Sequence, residues 1–134
     1  MSAEMARVPG VSDWLCGSAV TYRGDSKVRW LGVRPATLEA HSAVSAEVTD
    51  EMVRGVLERT PEAVVGAAIT GHLGPDAPSE IDGVVFASVA IRRGETLDVR
   101  RATRHRLSSQ DREPRQREAA AFVFEQLIER LGEE

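Results

Sequence analysis

Ala63-Val64-Val65-Gly66-Ala67-Ala68-Ile69 and Val84-Val85-Phe86-Ala87-Ser88-Val89-Ala90-Ile91 decide the fold of this chain. Both runs have strand length and almost no polar interruption. A strand without alternation of polar and apolar residues is covered on both faces. Residues 70–83 between them, rich in Gly, Pro and Asp, form a loop. After the second run, Arg92-Arg93-Gly94-Glu95 makes a hairpin turn, and 96–107 reads as the returning, more exposed strand.

Helices supply the cover. Ala120, Val123, Phe124, Leu127, Ile128 and Leu131 fall on one stripe, so 112–131 is a helix packed on a sheet and capped by Gly132. Ser45 is an N-cap, with Glu47 near the positive end of the helix that follows. Val48, Met52, Val53, Val56 and Leu57 recur at helical spacing until Thr60-Pro61 stops them. Pro35 opens a short helix through Ala40, and 26–31 makes one or two turns ended by Gly32. Leu15 to Tyr22 reads as a strand leaving through Arg23-Gly24-Asp25. Four strands and three or four helices predict an α/β fold, a three-layer α/β/α sandwich with a mixed sheet.

The 134 residues suffice for one domain with a real core. Hydrophobic residues make up 42% and aromatics 4%, so the core is aliphatic. The net charge of −4 argues against nucleic acid as the main partner. Cys16 is the one cysteine, which rules out an internal disulfide and fits a reducing compartment. His41, His72 and His105 are isolated, so no metal site is expected. There is no apolar stretch of membrane-span length and no signal-peptide core, and cytoplasmic location is the expectation.

The only tyrosine and the only lysine lie five residues apart, at Tyr22 and Lys27; the other sixteen of the seventeen lysine and arginine side chains are arginine. Arginine does not give up its proton in a protein, whereas a desolvated lysine can. Lys27 is therefore the one side chain able to act as a neutral amine base, although on this feature alone a bias toward arginine that spared one lysine by chance is the commoner reading. The loop 70–83 sits at the carboxyl end of a buried strand, where ligands bind in open α/β sheets. Gly71 and Gly74 allow close backbone approach, and Thr70 adds a hydroxyl. A purely structural turn is an equal reading of that pattern.

Thr70-Gly71-x-x-Gly74-Pro75, followed by Gly83-Val84-Val85-Phe86, resembles the C-terminal domain of the CinA family. Val8-Pro9-Gly10-Val11-Ser12, Val20-Thr21-Tyr22 with Lys27, Leu31-Gly32-Val33, and Thr37-Leu38 through His41 and Glu47-Val48 agree in order and spacing. The resemblance implies a nicotinamide-nucleotide amidohydrolase, which converts nicotinamide mononucleotide to the nicotinate nucleotide and ammonia with a serine nucleophile and no cofactor. It places Lys27 and Tyr22 at the catalytic position. Thr70, Gly71, Gly74, Pro75 and Gly83 would line the substrate site, and Arg115 or Arg117 would hold the 5′-phosphate.

The chain departs from that family in two respects. No Ser-Cys-Thr-Gly-Gly occurs in it, so the nucleophile is not among these residues, and residues 1–13 read as the remnant of the first helix and turn. Cys16 and Ser18 fall inside the next strand and do not substitute. The loop carries Asp76, Glu80 and Asp82, and its His72 reads more readily as solvated than as a site residue. The resulting expectation is an N-terminally truncated single domain over 1–134 with impaired turnover. The alternative is a non-catalytic nucleotide-binding or oligomeric interaction module, whose open sheet edge a homo-oligomer would cover. Arg100, Arg101, Arg104 and Arg106 read as an exposed strand face balanced by acids, and Trp14 and Trp30 as core filling.

Overall fold

A computed structural model describes residues 1–134. The elements are α1 (Ser2–Met5), a 3-10 turn (Val11–Asp13), α2 (Gly24–Leu31), α3 (Pro35–His41), α4 (Ala46–Glu58), β1 (Val65–Gly71), β2 (Val84–Arg93), β3 (Thr96–Val99), β4 (Thr103–Arg106) and α5 (Arg112–Gly132).

Strand β2 is central. It pairs with β1 on one side and with β3 and β4 on the other. The two apolar runs therefore lie side by side, in register from Val65 opposite Ile91 to Gly71 opposite Val85. Alternate residues of this pair serve two cores. Ala68 and Ala90 join Val48, Met52, Val53 and Leu57 of α4 and Leu31 of α2. Val85 and Ala87 join Leu107 with Ala119, Phe122 and Val123 of α5. Helices thus cover both faces, which gives the three expected layers. Full burial of each Val or Leu in these layers contributes roughly 1.5–3 kcal/mol.

Local sequence explains the ends. The Ser45 side chain accepts from the Val48 amide and caps α4. Gly32 ends α2 at φ 70°, where a side chain would be strained. In α5 the inward side is Ala119, Phe122 and Val123, while Ile128 and Leu131 of the expected stripe are exposed.

Four features differ from the sequence reading. Where a mixed sheet was expected, every strand pairing is antiparallel. Residues 15–22 are not a strand: no backbone amide from 16 to 23 donates to another backbone group. An apolar extended segment becomes a strand only when another backbone lies beside it, and here none does. The returning strand is broken. Ala90 pairs with Val99, but Val84 pairs with Arg106, so one extra residue is accommodated between β3 and β4. This is a β-bulge. It turns Leu97 and Val99 toward α4 while His105 stacks on Phe122 of α5. Finally, Trp14 and Trp30 are 86% and 55% exposed and fill no core.

The basic run is balanced as expected at two positions. Arg100 pairs with Glu129 and Glu133, and Arg101 with Glu47 and Asp50. No helix is long and apolar enough to cross a membrane.

Candidate functional site

Helix α2 begins directly after Tyr22-Arg23, and its first turns carry Lys27 inward. The Lys27 side chain is buried, although it is the kind of group that seldom is. Its Nζ donates to the carbonyl of Thr21 at 2.5 Å, and no carboxylate pairs with it. Burial therefore acts unopposed and holds the Lys27 amine below the ordinary lysine range. Thr21 is buried as well, and its Oγ1 has no hydrogen-bond partner. Tyr22, the next residue, points the other way and is 76% exposed.

The glycine loop is anchored at its base and on one side. The His72 amide donates to Val84 O at 2.9 Å, and the Gly83 amide to His72 O at 2.8 Å. Thr70 lies on β1, and its Oγ1 donates to Ala43 O at 3.0 Å, which ties the strand to the α3–α4 connection. Pro75 is exposed at the outer end of the loop.

The glycines have identifiable neighbours. A Cβ at Gly71 would come within 2.4 Å of Val85 Cγ1, so close contact with β2 requires glycine there. At Gly74 and Gly83 the neighbour is the guanidinium of Arg115. Arg115 is buried, forks onto both carboxylate oxygens of Asp82 at 2.7 Å, and donates through Nε to Ser109 O at 2.8 Å. That pair holds the Asp82 carboxyl below its usual range, the hydrogen bonds from Arg115 being the main cause. All three of these Arg115 nitrogens are thus engaged within the protein, underneath the loop.

Arg117 pairs with Glu113 at 2.7 Å and lines a cleft of about 680 Å³ between α1 and α5. That cleft also contains Met1, Arg7 and Phe124 but no residue of the glycine loop and neither Lys27 nor Tyr22. The structure thus brings Tyr22, Gly74, Gly83 and Arg115 into one neighbourhood and leaves Arg117 outside it.

Sequence reasoning missed Arg112. Its Nη1 donates to Gly74 O at 2.6 Å, and its Nη2 donates to the Tyr22 hydroxyl. The available signal was helical spacing: Arg112 and Arg115 are three apart and share a face at the start of α5. Chemically, the neighbourhood offers a phenol, guanidinium groups and a glycine-rich backbone, and the desolvated amine of Lys27 lies at its edge through the carbonyl of Thr21, with no hydrogen bond joining it to the glycine loop. These are the components of a proton-transfer and anion-stabilising site.

Comparison with known proteins gives a consistent picture. The sequence model of the CinA C-terminal domain family matches residues 1–131. The nicotinamide-nucleotide amidohydrolase PncC of Escherichia coli (strain K12) is 36% identical over 122 residues, covering 90% of this chain and 70% of that protein. A CinA-like protein of Chlorobaculum tepidum is 42% identical over 92 residues, 67% of this chain but 22% of its own length. The chain therefore spans under a quarter of that relative and a larger part of PncC. Among solved structures, competence damage-inducible protein A from Klebsiella pneumoniae superposes with a TM-score of 0.86 at 25% identity, covering 98% of this chain and 78% of that one.

Proposed function

From its place in the CinA C-terminal domain family, to which this chain belongs, we propose that it is a nicotinamide-nucleotide amidohydrolase-like domain. It would deamidate nicotinamide mononucleotide to the nicotinate nucleotide and ammonia. The observation that carries this reading is Lys27: the sole lysine, buried, without a carboxylate partner, and bonded to the residue that precedes the sole tyrosine.

In this reading Lys27 Nζ takes the proton of an attacking hydroxyl. The oxygen bonds to the carboxamide carbon, and the carbonyl π electrons move onto oxygen. Backbone amides of the loop around Thr70, Gly71 and Gly74 stabilise that charge. The C–N bond then breaks, and the proton returns to nitrogen as ammonia leaves, with Tyr22 orienting the transfer. Water repeats the sequence on the acyl intermediate and releases the carboxylate. Pro75 and Gly83 shape the loop. Arg115 supports it from beneath, and Arg117 is the more distant choice for a phosphate. The 134 residues contain no Ser-Cys-Thr-Gly-Gly, so the proposal includes impaired turnover by the chain as it stands.

Ammonia release from nicotinamide mononucleotide tests it. The chain alone should give little turnover. A chain fused to an upstream strand and helix bearing Ser-Cys-Thr-Gly-Gly should give turnover that Lys27→Met abolishes. Full activity of the unextended chain would refute the assigned nucleophile. An active fusion unaffected by Lys27→Met would refute the assigned base.

A further inference from the structure

Arg112 joins three parts of the chain that are distant in sequence, and the chemistry proposed above does not use it. It starts α5, it reaches Gly74 near the tip of the loop, and it reaches the hydroxyl of Tyr22, ninety residues away. Tyr22 needs such a partner. The segment before it makes no backbone hydrogen bonds through its amides, so two side chains hold its end: Lys27 at the Thr21 carbonyl and Arg112 at the phenol.

The loop needs one too. Its base is closed by the His72 and Gly83 bonds, but toward the tip the contact at Gly74 O is that of Arg112. One turn further along α5, buried Arg115 locks Asp82 and fills the space that Gly74 and Gly83 leave. Arg115 therefore fixes the start of α5 against the loop, and Arg112 extends from that fixed base. A planar guanidinium can serve two acceptors at once, whereas an ammonium is a point donor on a flexible stem.

We infer that Arg112 is a positioning residue that binds the Tyr22 segment and the glycine loop into one rigid unit. Its importance to catalysis rests on the amidohydrolase reading; its effect on local order does not.

The test is nuclear-spin relaxation of the backbone amides in the 134-residue protein, together with the ring signal of labelled tyrosine, which arises from Tyr22 alone. In Arg112→Ala the order parameters of both 16–24 and 72–76 should fall from the rigid-backbone range of about 0.85 toward about 0.6, α4 and β2 should be unchanged, and the tyrosine signal should shift. Arg112→Lys should restore one segment at most. Tyr22→Phe should loosen 16–24 only, because Arg112 still holds Gly74 O. Wild-type order in Arg112→Ala, loosening spread through α4 and β2, or full rescue by lysine would each overturn the inference. Failure of ammonia release by the serine-bearing fusion, with these effects on order intact, would strike the amidohydrolase reading and leave the positioning role standing.

Discussion

Replacing Gly55 by alanine should destabilise the protein, although intrinsic helix propensity predicts the opposite. Gly55 lies inside α4, where alanine gains about 1 kcal/mol in an unconstrained helix. Here a Cβ would sit 1.8 Å from the carbonyl oxygen of Leu31, 2.7 Å from its carbonyl carbon and 3.1 Å from its Cα. These are backbone atoms at the end of α2 and cannot swing aside as a side chain can. Reaching ordinary contact at 3.4 Å requires about 1.6 Å of separation between the helices. Overpacking of this kind costs about 1–3 kcal/mol, and a backbone obstacle belongs at the upper end. The net loss is about 2 kcal/mol, or about 6 °C in melting temperature for a domain of this length. Lys27 lies one turn from the contact, so exchange at α2 amides should rise with the loss of stability. Melting of Gly55→Ala at or above the wild-type temperature would show that α2 and α4 are not held this closely, and the placement of the buried amine would lose its support.

Two further predictions concern pH. Burial lowers the folded-state pKa of Lys27, so between that value and the unfolded value near 10.4 the unfolded chain binds the extra proton. Stability from this group therefore rises with pH across that window, and the slope should vanish in Lys27→Met; chemical denaturation at a series of alkaline pH values measures it, and equal slopes in the two proteins would contradict the burial. Glu118 accepts from the Ser108 amide at 2.6 Å and the Ser109 amide at 2.9 Å, with the Ser108 bond the larger cause of a pKa lowered to about 2. Its stabilisation is present above the unfolded value of about 4.5 and is lost as pH falls toward 2. Glu118→Gln should flatten the acid limb of a stability–pH curve, and an unchanged limb would refute the assignment.

The layers were legible because β1 and β2 carry apolar side chains on both faces, which requires cover on both sides, and because α4 and α5 show helical periodicity. The Ser45 cap and the Gly32 stop follow from local chemistry. Three things were not legible. An unpaired extended segment has the same composition as a strand, so 15–22 could not be told apart without its neighbours. A bulge adds one residue without altering polarity, so the break after Val99 left no trace in the pattern. The roles of the arginines at the start of α5 depend on where the helix turns. Rotation about its axis puts Arg115 under the loop, Arg112 at its tip and Arg117 against Glu113. Spacing alone allowed any of them. Lys27 was legible by its rarity, and the glycines by their loop, but the reason for Gly74 and Gly83 is a guanidinium that only the folded chain brings there.

The solitary amine of α2 also makes this protein its own reporter. An endoprotease that cuts only after lysine has a single target bond in the whole chain, between Lys27 and Val28, inside a helix and behind a buried side chain. One cleavage event, yielding two fragments, would time how often that helix unfastens from the body of the molecule.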